Sequence, residues 1–338
     1  MAFLQSNLHI NRPLTDMVIK FDPSNIGLMR NKFFPRKPVA NLSNNIRQIA
    51  REQLLRLYPM TSGEGGKVGK VQFGTGPTQT YNATVFALEA RLDNLEMGNA
   101  DAELQYQLNL SQAPMWALNF GLEKLAITDT LRSTANLTQN TTLASNAYWN
   151  LYTSPKSDPL NDLQVACMRV FSQCQQKVNR LMMDHMVWQK LMSHPNVISR
   201  VLFNSKNTGA ILTPSILEDI LSPWMQPGSI IIYSGRYNNG AEGEPEALKS
   251  FLGPDVLVAF VDQPGPMSFG MGYEFAWNGL NGDDPFLVLQ FPLNEAGALG
   301  SNVLRYISAV NYYVTNPKAA YLIKGAVDTT LVDFNSEL

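Results

Sequence analysis

The chain has 338 residues, a net charge of −2, 45% hydrophobic residues and only 16% charged ones, where about 25% charged is usual. No run approaches the ~20 apolar residues of a membrane helix, and the near-neutral balance lacks the basic excess of a nucleic-acid binder. Two cysteines cannot build a disulfide scaffold.

Such a length can bury a sizeable core and suggests two or more domains. With so little charge, much of the surface must be polar-neutral or covered, and extensive subunit contact is one way to cover it. The charge is also uneven. Residues 1–70 hold 11 Lys/Arg against 4 Asp/Glu, or +7, which leaves −9 for the remainder. A basic amino-terminal segment could therefore lie across the acidic body of a neighbour. "MAFLQSNLHI" lacks the basic start and apolar run of a secretion signal.

Residues 1–40 read as an irregular arm punctuated by Pro13, Pro23, Pro35 and Pro38. An amphipathic helix is predicted in "NLSNNIRQIAREQLLRLY", with Ser43 as cap and Ile46, Ile49, Leu54, Leu55 and Leu57 as apolar positions. Over 61–92, two β-prone runs, Val68–Phe73 and Thr80–Leu88, flank a turn at 74–77. That long hairpin has little apolar content of its own and needs a surface to lie on. Residues 99–132 predict a long helix that Pro114 should kink or divide. "STANLTQNTTLASN" is a loop.

Asp158 to Val178 predicts another helix, with Leu163, Ala166, Val170, Cys174 and Val178 on one stripe and Cys167 beside it. Along a helix these cysteines lie about 10.5 Å apart, too far for a bridge. Packing explains them, as reduced thiols.

"RLMMDHMVWQKLMSHPNVISRV" holds Asp184, His185 and His194. "RLMMD" predicts a strand, Asp184 caps the helix that follows, Trp188 belongs to its buried stripe, and Pro195 stops it. Nine residues on one helix set the two histidines on opposite faces, so a zinc site lacks converging ligands. Beyond residue 200, "GSIIIYSGRYNN" and "DVLVAFVD" predict strands with a short helix, "EPEALKSFL", between them. "SNVLRYISAVNYYVTNPKAAYLIKGAV" predicts strand, Asn-Pro turn, strand. The fold class is α+β.

Enzymatic motifs fail. "GEGGKVGK" has Glu64 and Val71 where a phosphate-binding loop needs Gly and Ser or Thr, "SFGMGYEF" has no following helix, and no hydrolase elbow or zinc-helix motif occurs. Asp283 and Asp284 follow Asn-Gly as a turn. No catalytic residue, metal ligand or cofactor site is assigned.

The order of parts resembles the major capsid protein of tailed double-stranded DNA bacteriophages. "RLMMDHMVWQKLMSHPNVISRV" is similar to that family's strand and Trp-bearing helix in the axial domain, and "VNYYVTNPKAAYLIKGAV" to its closing strands, which return the chain to the peripheral domain. The resemblance implies an arm with a short helix over 1–58 and an extended-loop hairpin over 59–95. It implies a peripheral domain with a spine helix over 96–154 and 286–338, and an axial domain over 155–285.

It further implies hexamers and pentamers closing into an icosahedral virion head around double-stranded DNA, assembled in the host cytoplasm. Its partners would be other copies, a separate scaffolding protein, a portal and a decoration protein, with weak contact to DNA and none to membrane. Candidate inter-subunit residues are Arg30, Lys32, Arg36 and Lys37 in the arm and Lys67, Lys70 and Phe73 in the hairpin; Asp184 and Trp188 are structural. Some members cross-link a hairpin lysine, and nothing here marks a partner asparagine for Lys67 or Lys70. The alternatives are an encapsulin-like nanocompartment shell of the same fold and a nucleotide-binding α/β enzyme.

Overall fold

A computed structural model describes residues 9–20, 27–46, 56–57, 60, 79–95, 106–204, 212–241, 243–265, 268–282, 284–293 and 300–330. Two sheets organise it. The centre of the first is β14 (Ser301–Val314). Along one edge β14 pairs antiparallel with β13 (Phe286–Leu293) and then β12 (Gly272–Trp277), and along the other with β5 (Thr84–Asp93). Two pieces of the amino-terminal segment complete this sheet: β1 (His9–Ile10) on β13, and β2 (Arg36–Val39) parallel to β12. Helices α1 (Arg12–Lys20) and α2 (Arg30–Phe33) lie between them. The arm is therefore structured along much of its length rather than irregular.

The second sheet runs β6 (Asn140–Thr142), β15 (Ala320–Lys324), β11 (Val256–Ala259), β7 (Arg180–Asp184), β8 (Ile230–Tyr233). Successive side chains of a strand point to opposite faces, and here both faces are buried. Met182, Leu257, Ala259, Ala320 and Leu322 join one core, while Leu181, Met183, Val256, Val258, Tyr321 and Ile323 join the other. A sheet covered on both sides gives unbroken apolar runs rather than alternation, which is why "RLMMD" and "VLVA" read as they do. The strand β12 belongs to the first sheet and β15 to the second, so sheet membership crosses the expected domain limits at 285 and 286.

The first core packs on α3 (Tyr106–Glu123), through Met115, Leu118 and Leu122. Pro114 sits inside this helix without dividing it. An internal proline costs about 3 kcal/mol, which burial of that apolar face offsets. The change of helical geometry comes later, at Lys124–Leu131, which winds as a π-helix.

The second core packs α4 (Pro159–Cys174), α5 (His185–Met192), α6 (Pro195–Asn204) and α7 (Pro214–Leu221) on the other face of the sheet. Asp158 caps α4 by accepting from Asn161 N, and α4 stops where Gln175 takes a left-handed φ of 55°. Leu163, Ala166, Cys167, Val170 and Cys174 are all buried, and neither cysteine is in a disulfide. Helix α5 ends at Met192, and Pro195 opens α6 rather than closing α5.

Two segments expected to be helical contain strands, and residues 47–55 of the first lie outside the described residues. Ser43 caps nothing: β3 (Ser43–Ile46) pairs with β4 (Gln79–Asn82), and Ile46 and Tyr81 join a small core with Tyr273 and Phe275. Within "EPEALKSFL", β10 (Leu248–Ser250) pairs with β9 (Arg236–Asn238) as a two-stranded ribbon. The first strand of the expected hairpin, Val68–Phe73, lies outside the described residues.

Candidate assembly surface

The arm is locked to its own chain by a buried carboxylate. Glu123, at the end of α3, is fully buried and accepts from Met29 N at 2.8 Å, Arg30 N at 3.1 Å and the Tyr233 hydroxyl at 2.9 Å. The Arg30 guanidinium lies 3.8 Å away and is 3% exposed. Burial raises the Glu123 pKa, against the pull of Met29, Arg30 and Tyr233. A side chain consumed in this way has nothing left for a neighbour, so Arg30 belongs to the internal fold.

The other arm cations differ. Arg36 bonds Glu274 at 3.4 Å and Asp284 at 3.0 Å while half-exposed. Lys37 sits over the Tyr273 and Phe275 rings, at 5.8 and 5.7 Å, and burial lowers its pKa. Lys32 is exposed on α2. Lys67, Lys70 and Phe73 lie outside the described residues.

The apolar exposure expected of a contact surface lies on β5. Though bonded to β14 along its length, its burial pattern has six exposed positions and one buried among ten. Val85 is 49% and Leu88 38% exposed. One packed face would bury alternate residues; here apolar side chains face solvent on the single chain. This feature was missed in the sequence, where the strand was read only as half of a hairpin.

Asp184 caps α5 as expected, accepting from Met186 N at 2.9 Å, and Trp188 is buried at 5% exposure. Asp184 also accepts from the Ser250 hydroxyl, which in turn accepts from Gly253 N at 3.0 Å. One carboxylate thus ties α5 to the β10 turn. Burial raises its pKa against these bonds. Losing the cap costs about 1 kcal/mol, and orphaning Ser250 adds roughly 1–2 more. Asp184→Ala is expected to lose about 2–3 kcal/mol in urea unfolding, with Asp184→Asn recovering part of it.

The histidines occupy separate elements rather than two faces of one helix. His185 is exposed at the start of α5. His194 is buried ahead of α6, its Nδ1 accepting from Asn196 N at 3.2 Å, with Nε2 3.1 Å from the Ser157 hydroxyl. With Nδ1 accepting, Nε2 carries the proton and donates, and Ser157 gives its own proton to Tyr148 O at 2.8 Å. That polarity is the reverse of nucleophile activation. Burial pushes the Cys167 thiol up to about 12, so it is no thiolate. Among the described residues no group of three His, Cys, Asp or Glu could hold a metal, and no helix is long and apolar enough to cross a membrane. The glycines of "SFGMGYEF" serve close backbone approach: a Cβ on Gly272 would stand 2.5 Å from Tyr313 O, and one on Gly270 2.7 Å from Asp262 N.

No protein-family model matches the sequence, and no curated protein does. Solved structures match over nearly the whole chain and share one fold, found in a phage-related protein, a putative prophage capsid protein and an encapsulin. A phage-related protein from Bordetella bronchiseptica RB50 superposes with a TM-score of 0.69 at 20% identity, covering 95% of this chain and 99% of that one. A putative prophage capsid protein from E. coli CFT073 gives 0.53 at 14% identity, over 94% and 99%. The encapsulin complex from Synechococcus elongatus PCC 7942 gives 0.53 at 9% identity, over 91% and 89%. At these identities the likeness is one of fold, and this chain shares their α+β architecture.

Proposed function

We propose that this chain is a structural major capsid protein, assembling as hexamers and pentamers into the icosahedral head of a tailed phage around double-stranded DNA. The observation that carries the proposal is the match over nearly the whole chain to a phage-related protein and a putative prophage capsid protein. The exposed apolar side chains of β5 support it, since on a lone subunit they are an aggregation liability and in a shell they are interface. In this reading the chain has no enzymatic role. It resides in the virion after assembly in the host cytoplasm, with a separate scaffolding protein, a portal and a decoration protein as partners.

The hairpin over 59–95 rests on an adjacent subunit in this account. Deleting residues 66–78 is expected to leave a folded subunit by circular dichroism and to abolish shells in sedimentation; shells of normal size would remove that role. For the arm, Lys32 and Lys37 are the cations to test, because Arg30 and Arg36 have carboxylate partners at home. Neutralising both should lower shell yield at low salt, with the deficit shrinking as the Debye length falls from ~10 Å at 0.1 M to ~3 Å at 1 M. A normal yield at every salt removes the arm contact.

An encapsulin-like shell is the second reading, favoured by a TM-score to the encapsulin equal to that for the prophage capsid protein, 0.53 in both. Particle contents separate the two: nuclease-protected double-stranded DNA supports the phage head, and enclosed protein cargo without DNA supports the compartment.

A further inference from the structure

The sequence contains three Asn-Gly pairs: Asn239–Gly240, Asn278–Gly279 and Asn281–Gly282. In such a pair the glycine backbone nitrogen can attack the carbonyl carbon of the preceding Asn side chain, because no Cβ obstructs the approach. Ring closure asks two things of the fold. The glycine N–H must be able to give up its proton, and the peptide unit must be able to turn toward the side chain.

At Asn239–Gly240 the attacking nitrogen is engaged. Gly240 N donates to Asn238 Oδ1 at 2.9 Å, and Asn239 N donates to Ala247 O at 2.8 Å, extending the β9–β10 ribbon. At Asn278–Gly279 the peptide unit is clamped. Asn278 N donates to Val39 O at 3.0 Å. The Trp277 indole, fixed by its donation to Ala40 O at 3.0 Å, lies against Gly279 so closely that a Cβ there would collide with the ring.

Asn281–Gly282 is built differently. Asn281 and Asp284 form an isolated antiparallel bridge, which makes Gly282 the first of two residues at the tip of a tight turn. Its φ of 68° is one that glycine adopts at no steric cost. The bridge joins backbone groups of 281 and 284, so the Gly282 N–H lies outside it. Gly282 is exposed, and a Cβ built on it meets no described atom within 4 Å.

We propose that Asn281 is a site of spontaneous deamidation, and that the fold protects Asn239 and Asn278 from the same reaction. Gly282 N, its proton taken by hydroxide, bonds to Asn281 Cγ. The Cγ–Nδ2 bond breaks, and the leaving nitrogen takes a proton from water and departs as ammonia. Water then opens the succinimide ring. Opening at Cγ gives Asp, and opening at the main-chain carbonyl gives isoaspartate, with one extra carbon in the backbone. One water is consumed, one ammonia is released, and nothing is oxidised or reduced.

The place gives the reaction a consequence. Directly opposed residues of an antiparallel pair carry their side chains on the same face. The Asp product therefore sets a second carboxylate across from Asp284, which bonds Arg36 of β2 at 3.0 Å. The isoaspartyl product lengthens one arm of the turn and breaks its pairing. The modified turn is thus the one that fastens the arm strand, whatever the chain assembles into.

Ageing the full-length protein at mildly alkaline pH tests this, with peptide mass mapping and isoaspartyl methyltransferase labelling at intervals. Acid at 281 should accumulate about tenfold faster than at 239 or 278, equivalent to about 1.4 kcal/mol in barrier. In concentrated urea all three pairs are released from the fold, and their rates should converge to within about twofold, well under 1 kcal/mol. Equal rates at the three sites in the folded chain overturn the proposal. So does faster reaction at 239 or 278, a folded chain that forms no acid at 281, or a preference for 281 that persists in urea.

Discussion

Glu123→Ala is expected to cost about 3–5 kcal/mol at neutral pH, measured as a shift in the urea midpoint. The change leaves the buried Arg30 guanidinium without its carboxylate, and it orphans two backbone N–H groups and the Tyr233 hydroxyl. Breaking one side of a buried ion pair typically costs that much, because the remaining charge stays in low dielectric. The arm should also loosen, since Met29 and Arg30 are held to α3 through this carboxylate. A pH effect accompanies it. Burial raises the Glu123 pKa, so the folded chain holds the proton more tightly than the unfolded one. The stability linked to this group is present below the ordinary carboxylate range and is lost as pH rises through the folded value. Subtracting the Glu123→Gln midpoints from those of the natural chain between about pH 4 and 8 should leave a difference that declines with rising pH. A flat difference would show that the group titrates as it does unfolded.

Trp149→Ala should lose about 3–5 kcal/mol, the range for an emptied aromatic site. Trp149 is fully buried in the second core, its indole Nε1–H donating to Asp162 at 2.9 Å and its backbone N–H to Ala326 O at 2.8 Å. It thereby pins the loop before α4 to the end of β15. Trp149→Phe keeps most of the volume and removes the indole donor, so a loss of about 1 kcal/mol is expected there. Equal losses for the two variants in calorimetry would contradict the packing account.

The parts of the fold that were legible in the sequence are those fixed by local rules. Unbroken apolar runs announced β7 and β11, Asp184 announced the helix after it, and the Asn-Pro turn divided β14 from β15. What escaped was set by distant partners. Ser43–Ile46 carries a helical pattern, yet it finds Gln79–Asn82 and buries Ile46 against Tyr81 and Phe275. Leu248–Ser250 stands in a segment rich in helix formers and is captured by the register with Arg236–Asn238. Such capture routinely overrides weak propensity. The arm read as irregular because β1 and β2 are two and four residues long and pair with strands more than two hundred positions away. Glu123 drew no reading from the sequence for the same reason, its partners being 93, 94 and 110 residues distant.

The most direct test of the proposed shell role is the native mass and shape of the protein, expressed alone and with the scaffolding protein that the proposal calls for, by light scattering and electron microscopy. The account predicts closed particles of many copies, in the megadalton range, with hexameric and pentameric units. A soluble 37.6 kDa monomer as the sole species under those conditions would contradict it.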